Sequence, residues 1–237
     1  LHRRMCIIDS YNRVRGMINL YNADCMEALA AMADNQFDLA IVDPPYGCNW
    51  GGVEHILSGN KNKSIAFAEK AKKWDVAHSK KYFTELKRVS MNQIIWGYHY
   101  LTEQLGNSNN LIIWDKKITG LKYLSRFEIA YCSFNNSIIK QINSIKDNKI
   151  HPTQKPVKLY EWLLLNYAKE GDKILDTHLG SGSIAIACHN LGYDLEGYEL
   201  DEEYYNAAVK RYNDHICPLY PSDAANQRTN VELCGPP

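Results

Sequence analysis

The chain has 237 residues, 27 basic and 27 acidic side chains and 45% hydrophobic residues, enough for one large α/β domain with a sizeable core and the composition of a soluble globular protein. No apolar run approaches the roughly 18 residues of a membrane helix, and the opening LHRRMCIIDSYNRVRG lacks the apolar region of a secretory signal. The zero net charge announces no nucleic-acid partner by itself, and seven cysteines scattered without a C-x-x-C pair argue against a disulfide framework or zinc site and for a reducing, cytoplasmic setting.

Residues 1–16 read as flanking sequence outside the fold, which is expected to span 17–215, and residues 216–237 as an irregular tail. Ile18 to Tyr21 reads as a short strand ending at Asn22-Ala23-Asp24, CMEALAAM follows with helical spacing, and a turn at Asp34-Asn35 leads into FDLAIVDPPY. This is a βαβ unit. Leu39 to Val42 form a run suited to a strand covered on both faces. Pro44 and Pro45 then stop the ladder, since neither has an N–H to donate. The stop leaves the Asp43 carboxylate, rigid backbone carbonyls and the Tyr46 ring at the strand's carboxyl edge, where open α/β sheets bind ligands.

Residues 47–77 are polar and Gly-containing and read as a mobile loop with some helix. The stretch from Gly59 to Ser90 carries a clear excess of Lys and Arg, which suits either a solvated helix face or a DNA-facing surface. Tyr82 to Val89 looks helical; NQIIWGYHY, NLIIWDKK and FEIAYCSF read as strands, and residues 135–150 as polar and irregular. VKLYEWLLLNYAKE has helical spacing, with Gly171 expected to end the helix. KILD, HLGSG, SIAIACHNL and the run to Glu199 give strand, glycine turn, helix and strand, and Glu203 to Tyr212 a last helix.

Gly180 and Gly182 permit a tight turn and close backbone approach to a ligand, while Glu199 is placed to accept hydrogen bonds from ribose hydroxyls. Ala185 stands where G-x-G-x-x-G requires its third glycine, and the G-K-[ST] ending of a phosphate loop is absent. A carboxylate at Asp176 would repel a pyrophosphate but hold an ammonium. That favours S-adenosyl-L-methionine, which carries an ammonium, a sulfonium and no phosphate, over NAD.

DPPY, HPTQKP and DTHLGSGS, in this order between Ile18 and Tyr212, resemble the amino-methylating DNA methyltransferases of the permuted β class. The resemblance implies a doubly wound, mostly parallel Rossmann-like α/β sheet in a single domain. It implies that Asp43 and the Pro44 carbonyl accept hydrogen bonds from the target base's exocyclic amine and that Tyr46, within Asp43-Pro44-Pro45-Tyr46, stacks on a base flipped from double-stranded DNA. It places Asp176, Gly180, Ser181 and Gly182 along the methionine end of S-adenosyl-L-methionine, Glu199 at the ribose, Asp24 with the neighbouring Cys25 by the adenine, and Asp43 in the cofactor site as well as at the base. Thr153 to Lys155 would close over the cofactor.

DPPY rather than SPPY favours N6 of adenine; N4 of cytosine shares the chemistry. An RNA amine methyltransferase and a catalytically weak DNA-binding module remain as alternatives. The family's habits add a restriction-modification setting in a bacterium or phage and pairing into a homodimer, with no membrane and no metal. Two features depart from the family's pattern. Thr177 and His178 stand where it usually has Pro-Phe, and His178 reads as a packing variant. The target-recognition region at 135–150 is very short.

Overall fold

The computed structural model describes residues 16–47, 75–117, 125–134, 140–143 and 154–217. Among the described residues, eight strands make one sheet in the order β1-β8-β7-β2-β3-β5-β4-β6. They are β1 (Ile18–Asn22), β2 (Phe37–Val42), β3 (Ser90–Trp96), β4 (Leu111–Asp115), β5 (Phe127–Cys132), β6 (Lys140–Asn143), β7 (Lys173–Asp176) and β8 (Asp194–Glu199). β5 runs antiparallel to its neighbours β3 and β4, and every other pairing is parallel. The helices are α1 (Cys25–Ala31), α2 (Lys80–Val89), α3 (Thr102–Leu105), α4 (Val157–Tyr167), α5 (Ser183–Leu191) and α6 (Glu202–Ile216). Among the described residues, no helix is long and apolar enough to cross a membrane.

The unbroken apolar run of β2 is explained by cover on both faces. Leu39 and Ile41 enter one core cluster, with Ile94, Trp96, Ile174 and α4 and α5 side chains. Ala40 and Val42 enter the other, with Ile95, Leu175 and the α1 and α2 side chains Leu29, Tyr82, Phe83 and Leu86. At β2 and β7, paired through Leu39↔Ile174 and Ala40↔Leu175, the order departs towards β3 on one side and β8 on the other. This is the point of reversal at which such sheets open a crevice.

Three local expectations are corrected. Gly171 does not end α4, which stops at Tyr167 with Ala168 as an extended C-cap; Gly171, at φ +85°, serves the turn into β7. Residues 140–143 form β6, paired in parallel with β4, within the stretch expected to be irregular. NQIIWGYHY is a strand only to Trp96, where Gly97 breaks it and a 3-10 turn covers Tyr98–Tyr100.

Part of the basic stretch has an internal task. The Arg88 guanidinium donates to the carbonyls of Leu29 and Met32 at 2.7 and 2.8 Å and to Asp34 and Glu85, tying the end of α1 to α2. Residues 48–74 of the expected DNA-facing loop, the end segments 1–15 and 218–237, and residues 135–139 and 144–150 of the expected recognition region lie outside the described residues.

Candidate active site

The parallel strands deliver their carboxyl ends to one edge, and each end carries a polar group. β2 delivers Asp43, and Pro44 is buried behind it. β7 delivers Asp176, and β8 delivers Glu199. Beyond β1, the Ala23 N–H donates to the Glu199 carbonyl at 3.1 Å, and the Asn22 amide donates to the same carbonyl at 2.8 Å. Asp24 is thereby held beside Glu199.

At the β2 end, Asp43 accepts from the Tyr46 hydroxyl through one carboxylate oxygen and from the Lys155 ammonium through the other. Lys155 is 4% exposed. Its Nζ lies 3.2 Å from Glu128 and 5.2 Å from the centre of the Trp96 ring. Burial works against the ammonium, but Asp43 and Glu128 outweigh it and hold the Lys155 pKa above the lysine range. Burial likewise pushes the Glu128 carboxyl up, and the charges of Lys155 and Lys116, the latter 3.0 Å away, turn the balance downward. A buried lysine thus sits between two half-buried carboxylates, with both signs present, the condition under which interior charges are tolerated. Lys155 thus reaches Asp43; the resemblance has Thr153 to Lys155 closing over the cofactor, and Thr153 lies outside the described residues.

Tyr46 stacks on Tyr100, ring centres 5.4 Å apart at 17°. Beneath it is Gly97 at φ +81°, where an added Cβ would sit 2.0 Å from Tyr46 Cε1. Its ring cannot swing aside without losing both the Asp43 bond and the stack. Gly97→Ala is therefore expected to cost more than about 1 kcal/mol, because Ala at positive φ is strained as well as crowded, and to lower methyl transfer more than it lowers stability. Thermal melting and single-turnover transfer, compared on the same sample, check this; unchanged transfer would show that the Tyr46 position is immaterial.

At the β7 end, Asp176 is buried and accepts from the His178 N–H at 2.9 Å. Burial pushes its pKa from the ordinary 3.8 up to about 8; the His178 bond opposes this and the charges of Asp43 and Glu199 add to it. The turn that follows has Gly180 at φ +52° and Gly182 at φ +70°. Ser181 Oγ lies 3.1 Å from Ser183 Oγ, and Arg211 donates to the Ser181 carbonyl at 2.9 Å. Glu199 takes the Gly180 N–H at 2.9 Å and the Asp201 N–H at 3.0 Å, one on each oxygen, and burial raises its pKa. Asp24 caps α1, accepting from the Met26 N–H at 2.7 Å. The buried Cys25 thiol is pushed up to about 12 by burial, with Asp24, Glu199 and Asp176 adding to it.

The polar groups at this edge, the carboxyl groups of Asp24, Asp43, Asp176 and Glu199 with backbone amides, and the buried Lys155 ammonium committed to Asp43 and Glu128, suit an ammonium-bearing nucleoside cofactor and not a pyrophosphate. Reasoning from the sequence missed Gly97, Tyr100 and Glu128. A glycine directly after the strand NQIIW, and an acid inside the apolar strand FEIAYC, were the available signals.

Residues 53–210 match the N6_N4_Mtase family, described as DNA methylase. The chain is 26% identical to the type II methyltransferase M.HpaI of Haemophilus parainfluenzae, over 90% of this chain and 80% of that protein. It is 25% identical to the type II methyltransferase M2.MboI of Moraxella bovis, over 85% and 89%. Among solved structures, the M1.HpyAVI–SAM complex shares the fold with a TM-score of 0.55 at 20% identity, covering 83% of this chain and all of that one. The cytosine-N4-specific PvuII DNA methyltransferase has a TM-score of 0.54 at 12% identity over 84% and 87%. With the DPPY and glycine-turn ends of two paired strands on one such sheet, the chain belongs to the N6_N4_Mtase family of amino-methylating DNA methylases.

Proposed function

We propose that this DNA methyltransferase moves a methyl group from S-adenosyl-L-methionine to the N6 amine of an adenine flipped from duplex DNA. The observation that carries this is the Asp43 carboxylate, held at the end of β2 by Tyr46 and Lys155, one strand from the buried Asp176 at the glycine turn.

An exocyclic amine is a poor nucleophile because its lone pair is delocalised into the ring. Acceptors at both of its N–H groups favour a more tetrahedral nitrogen and offset the positive charge that develops during attack. Asp43 and the Pro44 carbonyl are the acceptors, and proline keeps the carbonyl aimed. Tyr46 supplies a stacking face worth about 1–3 kcal/mol to the extruded base. Asp176 holds the cofactor's ammonium, Glu199 its ribose, and the amides around Gly180 and Gly182 allow close approach. When bound, S-adenosyl-L-methionine supplies an electrophilic methyl on its sulfonium. The methylated nitrogen becomes acidic and sheds its proton afterwards, so no strong base is required.

Adenine rests on DPPY. Transfer of labelled methyl to mixed-sequence duplex DNA, followed by nucleoside mass spectrometry, is expected to give N6-methyladenine. N4-methylcytosine would keep the mechanism and overturn the base, and product only on RNA would overturn the substrate.

Asp176 gives this reading a pH signature. Its folded pKa lies above the unfolded value, so the unfolded chain binds fewer protons between the ordinary 3.8 and about 8. Folding stability without cofactor therefore falls as pH rises through that window. A cationic ligand favours the ionised form, so binding below pH 8 expels a proton and tightens as pH rises, by up to about tenfold per unit. Calorimetry in buffers of different ionisation enthalpy is expected to show proton release that vanishes in Asp176→Asn; release that persists would move the titrating group elsewhere.

A further inference from the structure

His78 lies in the short segment between residue 75 and α2, Cys25 opens α1, and His178 sits in the turn after β7. No sequence spacing links them, and the fold brings them together. One ligand atom from each, the Cys25 thiol and a nitrogen from either imidazole, lies within 4.8 Å of the other two. The two Nε2 atoms are 2.8 Å apart. Two neutral imidazoles at that distance are joined by one shared proton, with one ring donating and the other accepting.

We propose that Cys25, His78 and His178 form a binding site for a thiophilic divalent cation of the Zn²⁺ class, which takes the place of that proton between the two rings. Two nitrogens at Zn–N distances of about 2.0–2.1 Å in tetrahedral geometry stand about 3.3–3.4 Å apart. The imidazoles therefore need to separate by only about half an ångström. His78 is on coil and half-buried, so its ring has room to move.

His178 already has the orienting partner that metal-bound imidazoles use. Its Nδ1 is 2.9 Å from Thr177 Oγ1, and that hydroxyl is 2.6 Å from the Tyr82 hydroxyl. With Nδ1–H donating to Thr177, the Nε2 lone pair faces His78 and the thiol. Burial holds both imidazoles neutral, with pKa values below the histidine range, which is the form that ligates. On binding, the thiol gives up its proton to solvent and the shared ring proton moves to His78 Nδ1, leaving both Nε2 lone pairs to the cation. Asp24 and Glu199 lie close enough to act on Cys25 through their charge, which opposes a bare thiolate but favours a thiolate bound to a dication. One thiolate and two imidazoles select Zn²⁺-like ions over Mg²⁺ or Ca²⁺. A bound cation would clamp the segment before α2 and the start of α1 to the cofactor turn.

The test uses the full chain, freed of metal with a chelator and titrated with Co²⁺ as the spectroscopic probe. One equivalent is expected to bind with a thiolate-to-cobalt charge-transfer band, to be displaced by Zn²⁺, and to raise the thermal midpoint. Cys25→Ser is expected to lose the band. His178→Phe is expected to lose the midpoint shift, with His178→Gln as the replacement should the Phe variant not fold. No band in the unsubstituted chain, or an undiminished band in Cys25→Ser, would overturn the site. None of these readings involves methyl transfer, so failure here leaves the proposed function standing.

Discussion

Asp43→Asn is expected to slow single-turnover methyl transfer by about 10²–10³-fold, the usual cost of deleting one preorganised group that meets developing charge. S-adenosyl-L-methionine affinity should fall far less than the rate, because the groups assigned to the cofactor lie on β7 and β8 and Asp43, on the adjoining strand, acts on Asp176 only through its charge. The asparagine keeps the side chain's shape and one acceptor oxygen for Tyr46 or Lys155, which both hold Asp43 in the structure. The loss therefore reports the charge and the second acceptor rather than a collapsed site. A rate within tenfold of the parent would remove Asp43 from the chemistry, and equal losses of cofactor affinity and rate would make its role structural.

The second large effect is on folding. Lys155 is the cation shared by Asp43 and Glu128, and its side chain is 3% exposed. Removing one member of a buried ion pair costs about 3–5 kcal/mol, because the partner remains buried and uncompensated. In Lys155→Met, the apolar stem is kept over Trp96 and two carboxylates face each other without their cation. Lys116 still reaches Glu128 at 3.0 Å, so the loss is expected near about 3 kcal/mol, the lower end of that range. Urea unfolding with an unchanged m-value would measure it. A loss below about 1 kcal/mol would show that solvent reaches the network readily. Adding Glu128→Gln should recover part of the stability, since the stranded charge goes with it.

How much of this was readable beforehand depends on the reach of each signal. The β2 strand and its stop were plain because burial on both faces demands an unbroken apolar run and proline forbids its continuation. The glycine turn was plain for a similar local reason, since Gly180 and Gly182 do occupy positive φ. The end of α4 was misjudged because a glycine nearby was credited with the stop. Ala168, in extended conformation, makes it, its N–H returning to Leu164. β6 escaped notice because KQIN is short and polar, and its pairing with β4 is a backbone matter. The destination of Lys155 was invisible because a lysine carries no local sign of which distant carboxylate it will meet. Tyr46 was legible as an aromatic ring at a strand's carboxyl edge, but its support, Gly97, follows the neighbouring strand. Sequence pattern thus shows what each strand end offers, and pairing between strands decides what those offers become.

The pairing of β1 with β8, in register from Ile18↔Leu195 to Asn22↔Glu199, sets the timetable of assembly. A chain leaving the ribosome presents the DPPY strand early, and β3 soon after gives it a neighbour. Asp176 and Glu199 arrive only with β7 and β8, and β1 waits for the latter before it can enter the sheet at all. Contacts so distant along the chain must overcome loop-closure entropy before they return any stabilisation, so they form late. A nascent chain therefore carries Asp43 well ahead of Asp176 and Glu199, and the strand edge that gathers all three is completed only when the last strand of the domain has been made.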